Sequence, residues 1–170
     1  MRILGIDPGT IRMGYGLIDD QGEVSAIDWG VVSLSRSLPL EARLFQLYSH
    51  LLNMISIWHP DAMSVEEPFV GKNEARYVGP ALAVGQAQAT AFIAAAGQSI
   101  PLYRYTPAQV KRSVADYGAA SKGQIQEMVK LILRLDTLPE PSDASDALAI
   151  ALCHVRQKDV ADLAKREIDP

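Results

Sequence analysis

Two aspartates three residues apart, Asp143 and Asp146, open the alanine-rich run Ser142-Asp-Ala-Ser-Asp-Ala-Leu-Ala-Ile-Ala-Leu. On a helix they share one face, about one turn apart. Such a pair offers oxygen ligands to a divalent cation. It serves equally well to decorate a helix start, where Ser142 can cap and acids suit the dipole. Acids elsewhere in the chain decide between these readings. Asp7 closes the apolar run Arg2–Asp7 ahead of Pro8-Gly9-Thr10, and Glu66 closes Ala62–Glu66 ahead of Glu67-Pro68-Phe69. Each falls at the C-terminal end of an expected buried strand, the edge where open α/β sheets collect ligands. If the two strands are parallel neighbours, about 4.8 Å apart, their end carboxylates bracket one ion. Asp before Pro-Gly is also a common turn former. Strand alternation sends Glu66 and Glu67 to opposite faces, and periodicity does not choose between them.

Four carboxylates without a His or Cys cluster suit a hard cation, Mg²⁺ or Mn²⁺. The histidines His50, His59 and His154 show no ligand spacing to one another. The chemistry such a site supports is two-metal phosphoryl transfer, with one ion activating water and the other stabilising the leaving oxygen.

The surrounding pattern predicts the frame that must hold these acids. Arg2–Asp7, Arg12–Asp19 and Glu23–Leu34 read as three strands joined by short links, with Asp19-Asp20-Gln21-Gly22 as a hairpin turn. Pro39–Trp58 is the clearest helix: Leu40, Leu44, Leu47, Leu51, Ile55 and Trp58 recur at spacings of three and four, and His59-Pro60 ends it. Ala62–Glu66 is a further strand, and Val70–Pro80 a mobile-loop candidate. Ala81–Ala96 is a helix rich in small residues, and Ile100–Tyr105 a strand. Thr106-Pro107 and Ser121 each open a helix, and a last one covers 142–157. The order predicts an α/β domain with a mixed five-stranded sheet: an antiparallel meander, then strands reached through helical crossovers.

At 170 residues the chain suits one domain. A single cysteine, Cys153, excludes an intrachain disulfide and suits a reducing cytoplasm. The first residues do not read as a signal peptide, and no run reaches the length of a membrane span. A net charge of −4 argues globally against a nucleic-acid binder. Yet Lys72 to Arg134 carries eight basic residues against three acids, so a local basic face is available on an acidic protein.

Gly5-Ile6-Asp7-Pro8-Gly9-Thr10, Gly14-Tyr15-Gly16, Glu66 with Phe69 and Lys72-Asn73, Gly85-Gln86-Ala87, Pro107-Ala108-Gln109-Val110-Lys111 and Asp143-Ala144-Ser145-Asp146 with its Ala-Leu-Ala-Ile-Ala continuation occur in this order. Together they resemble the RuvC family of bacterial Holliday-junction resolvases. The resemblance implies a ribonuclease H-like fold over residues 1–157, with 158–170 as a charged tail. It assigns catalytic and metal-binding roles to Asp7, Glu66, Asp143 and Asp146, choosing Glu66 over Glu67. It implies Mg²⁺, with Mn²⁺ able to substitute, and two ions per subunit. Phe69 matches a base-stacking aromatic, and Lys111 and Lys122 match lysines near the scissile phosphate. Lys72 and Arg76 join them as DNA contacts. The expected substrate is four-way junction DNA, nicked symmetrically by a homodimer to leave 5′-phosphate and 3′-hydroxyl ends. The expected partners are the branch-migration proteins RuvA and RuvB, and the expected location is the cytoplasm. The 81–96 helix is the expected dimer face.

Two features depart from the family pattern. The stretch Glu74–Leu82 is longer, and the tail from Lys158 is mixed rather than basic. The alternative activity is a ribonuclease H-like nuclease of the ribosomal RNA-maturation type, which shares a Gly-x-Asp-x-Gly opening but not the terminal Asp-x-x-Asp helix. A sugar-kinase-like module would need two such domains, and a catalytically dead junction binder would not need all four acids.

Overall fold

The computed structural model describes residues 1–67, 78–116 and 118–168. The elements follow the order β1 (Arg2–Asp7), β2 (Arg12–Asp20), β3 (Val24–Ser33), α1 (Leu40–Trp58), β4 (Ala62–Glu66), α2 (Val78–Gly97), β5 (Leu102–Tyr105), α3 (Pro107–Ala115), α4 (Lys122–Ile132) and α5 (Ser142–Ile168). One five-stranded sheet runs β3-β2-β1-β4-β5. The first three strands form an antiparallel meander, and β4 and β5 join β1 in parallel. This is the expected mixed sheet.

Apolar side chains fall on alternate faces of the strands, which gives two cores. Leu4, Ile6, Leu17, Met63 and Val65 pack with Leu47, Leu51, Met54 and Ile55 of α1 and with alanines of α2. Ile3 and Ile18 face the other way, onto Val110 and Val114 of α3, Ile125 and Val129 of α4, and Leu148 and Ile150 of α5. β1 and β4 are therefore covered on both sides, which is why their sequences read as unbroken apolar runs. Each fully buried Leu or Ile contributes about 1.5–3 kcal/mol.

Helix α5 lies unusually close to the sheet. A Cβ on Gly5 would sit 2.1 Å from the Ala147 carbonyl oxygen, and one on Gly14 would sit 2.0 Å from that of Asp143. A Cβ on Gly16 would meet Leu148 at 2.8 Å. These three glycines, with Ala147 and Ala151 opposite, form a seat that only hydrogen at the α-carbon permits. Two buried hydrogen bonds tie the helix to the sheet. Ser64 Oγ donates to the Ile150 carbonyl at 3.3 Å, and Tyr105 Oη pairs with His154 Nδ1 at 2.7 Å. Burial, then Lys158, pushes the His154 imidazole below its ordinary value. The neutral ring and the Tyr105 hydroxyl share one proton across this bond, with the donor set by the ring tautomer.

Several boundaries differ from the expected ones. β5 starts at Leu102 rather than Ile100, because pairing begins with the Pro101 carbonyl accepting from Met63 N. Ser142 is already inside α5 rather than capping it, and the Pro141 carbonyl accepts from Ala144 N at 2.8 Å. α5 continues past 157 to Ile168, because the charged stretch is made of good helix formers and holds no breaker. The two predicted caps at Thr106 and Ser121 are present, each completed into a capping box by Gln109 and Gln124.

Candidate metal centre

In the β1–β4 ladder Ile6 pairs with Val65, so the next residues, Asp7 and Glu66, end their strands side by side. Alternation along each strand then fixes the faces. Gly5 touches α5, so Asp7, two residues on, points to the α5 face. Ser64 bonds to α5, so Glu66 points there too, while Glu67 has the opposite parity and pairs with Arg104 at 3.6 Å. The register makes the choice between Glu66 and Glu67 that periodicity could not.

The glycine seat brings the first turns of α5 over this edge. Asp143 and Asp146 both raise the affinity of Asp7 for its proton, so all four acids share one electrostatic neighbourhood. Asp7 is pushed up to about 7, by burial first and then by Asp146, Glu66 and Asp143. Glu66 is also pushed up to about 7, by burial and by Asp146, against the opposing pull of Lys111 and Lys122. Shifts of this size in a cleft are those of a candidate functional site.

Basic side chains already answer the two helix acids. Lys122 Nζ lies 2.7 Å from Asp146 Oδ2. Burial works against its charge, but the hydrogen bond to Asp146 and the fields of the acids hold the ammonium above its ordinary value. Arg12 places Nη2 at 2.8 Å and Nε at 3.2 Å from Asp143 Oδ2. Among the described residues no three His, Cys, Asp or Glu side chains stand close enough to grip one ion as they are. The donor set nonetheless fits a hard divalent cation: oxygen ligands only, two of them pushed toward neutrality by burial and then by neighbouring negative charge, and two paired with cationic groups.

A cleft of about 230 Å³ opens beside the acids, lined by Glu66, Asp146, Lys111, Lys122, Pro107, Val110, Ile125 and Ala149. Lys111 and Lys122 thus converge with Glu66 and Asp146, as expected. The expectations for Phe69, Lys72 and Arg76 lie outside the described residues. Arg12 was not expected in the site. Its only sequence signal is a charged residue at the first position of a buried strand, next to the Asp7 turn. Gln88, a buried residue of α2, was likewise missed; its Nε2 donates to the Glu66 carbonyl at 2.9 Å and fixes the end of β4.

Residues 3–154 match the family model described as crossover junction endodeoxyribonuclease RuvC. The RuvC protein of Thermomicrobium roseum is 43% identical over 97% of this chain and 99% of its own length. That of Chloroflexus aggregans is 50% identical over 91% of this chain and 92% of its own. Among solved structures, T. thermophilus RuvC in complex with a Holliday junction substrate superposes with a TM-score of 0.87 at 33% identity, covering 95% of this chain and 96% of that one. The yeast mitochondrial resolvase Ydc2 shares the fold, with a TM-score of 0.62 at 16% identity. Among the described residues no helix is long and apolar enough to cross a membrane.

Proposed function

The chain belongs to the RuvC family of crossover junction endodeoxyribonucleases, and on that premise we propose that it resolves four-way DNA junctions at a site built from Asp7, Glu66, Asp143 and Asp146. The observation that carries the site is the meeting of the β1 and β4 ends with the start of α5, in a cleft that also holds Lys111 and Lys122.

Asp7, Glu66, Asp143 and Asp146 would hold two Mg²⁺ ions, with Mn²⁺ able to substitute. Bound, such ions supply Lewis acidity toward water and toward the scissile phosphate. The chain's own residues do the rest. Asp7 and Glu66, both pushed up to about 7, would give up their protons on binding such ions. Lys111 and Lys122 act as point charges on phosphate oxygens, and Lys122 is free to do so once Asp146 has another partner. Hydrolysis breaks the bond to the 3′ oxygen and leaves 3′-hydroxyl and 5′-phosphate ends. Phe69, Lys72 and Arg76 remain proposed DNA contacts. Because the overall charge is −4, binding rests on this local basic cleft, and affinity falls with salt.

We also propose a homodimer, so that two sites nick symmetric strands. Leu82 and Ile93 support α2 as its face: both are exposed and lie about three turns apart on one side of the helix. RuvA and RuvB are the proposed partners, the cytoplasm the proposed location, and residues 1–157 the proposed nuclease domain, with 158–170 as its tail.

The test is a synthetic four-way junction incubated with Mg²⁺ and either wild type or Asp143→Asn. Wild type gives paired symmetric nicks, and the variant binds without cutting. Equal cutting of linear duplex and junction would overturn the resolvase reading, as would a preference for RNA.

A further inference from the structure

Arg12 stands where no DNA phosphate is needed to explain it. It opens β2, two residues before Gly14, and the Asp143 carbonyl rests on that glycine. On its other side the turn is folded tightly, so that a Cβ on Gly9 would lie 2.2 Å from the Arg12 carbonyl oxygen. The backbone on both sides therefore fixes where the Arg12 side chain starts. It reaches one oxygen: both Nε and Nη2 converge on Asp143 Oδ2. The Arg12 side chain is 48% exposed and that of Asp143 28%, so the pair sits at the solvent rim of the acid cluster.

A carboxylate oxygen engaged by two N–H groups is not available to a cation. A lysine can vacate such a position by losing its proton, but a guanidinium keeps its charge and has to swing away. We propose that Arg12 is a positioning residue that holds Asp143 in reserve: its guanidinium competes with a divalent cation for Oδ2 of that carboxylate, so Arg12 sets how much metal the protein needs. This rests on the four-acid site proposed above. A purely structural Arg12 would tie the start of α5 to β2 and leave metal affinity alone.

The two roles separate in the DNA-free protein. Free Mn²⁺ is followed by its six-line electron paramagnetic resonance signal as wild type, Arg12→Met, Arg12→Lys, Arg156→Met and Asp143→Asn are titrated. Arg12→Met is expected to bind Mn²⁺ about 1.5- to 5-fold more tightly than wild type, the range set by a partly exposed ion pair. Arg12→Lys, which keeps the charge but not the fork, falls between them and serves if the methionine variant does not fold. Arg156→Met breaks the surface pair of Arg156 with Asp116 and removes the same charge elsewhere, so it binds as wild type does. Unchanged or weaker binding by both Arg12 variants would overturn the inference, as would equal tightening by Arg156→Met. Asp143→Asn should bind more weakly. If it binds like wild type, the site reading itself falls, and the role of Arg12 with it.

Discussion

The strand-end acids and the helix-start acids have opposite surroundings. Asp7 and Glu66 are placed by the sheet ladder, and burial with neighbouring negative charge pushes both up to about 7. Asp143 and Asp146 are placed by α5, and each has a basic partner within 3 Å, at 2.8 and 2.7 Å. Among the described residues the strand acids therefore feel Lys111 and Lys122 only through the field, while each helix acid already has an ion-pair partner. At the proposed site, metal binding at the strand acids would displace protons, and at the helix acids it would displace side chains. The four acids of the proposed site would thus present two different barriers to an incoming ion.

Chemistry should not respect this division. Asp7→Asn and Asp143→Asn are each expected to lower single-turnover junction cleavage by about 10³-fold or more, since several kcal/mol of charge stabilisation are lost in either case. A variant in one half that kept near-normal cleavage would break the four-acid site in two.

The seat that joins the halves comes next. Gly14→Ala would put a Cβ 2.0 Å from the Asp143 carbonyl oxygen. Lifting α5 should cost about 1–3 kcal/mol in a urea melt and reduce cleavage about 100-fold, through displacement of Asp143 and Asp146. Gly123→Ala, with open space around the added methyl, should leave both measurements near wild type.

Stability should divide the halves where activity does not. The raised value of Asp7 means that its contribution to folding is fully present below its unfolded value, near 3.8, and is lost as the pH rises through about 7. At pH 8, without metal, Asp7→Asn should therefore melt a few degrees higher than wild type, at roughly 2–4 °C per kcal/mol for a chain of this size. The gap should close toward pH 4. Asp143→Asn gives up its Arg12 pair instead, and should melt at or slightly below wild type. Identical pH profiles for the two variants would erase the contrast.

The smallest expected signal is proton release. Mn²⁺ added to the DNA-free protein near pH 7 should liberate protons from Asp7 and Glu66, read as a dependence of binding heat on the buffer's ionisation enthalpy. Release should shrink in Asp7→Asn and persist in Asp143→Asn.

Much of this was legible in the chain. Apolar runs that end in acids gave the strand order and the positions of Asp7 and Glu66, because a buried strand's limits are visible in composition. The repeat of Leu47, Leu51 and Ile55 gave α1 for the same reason. The ion pairs were not legible: Arg12 and Asp143 are 131 residues apart, and no local pattern encodes their meeting. The face of Glu66 needed the β1–β4 register. Gly5, Gly14 and Gly16 stood out only as members of motifs, and only the approach of α5 shows what their missing side chains are for.

That seat also orders events in time. β1, β2 and β4 are made before α5, the last element of the described chain. During synthesis at about 5–20 residues per second, Asp7 and Glu66 leave the ribosome many seconds ahead of Asp143 and Asp146. Until α5 docks on its glycines, the two strand acids have no helix acids beside them. A nascent chain therefore carries only half of the proposed cutting site, and competence to cut DNA arrives with the closing step of folding.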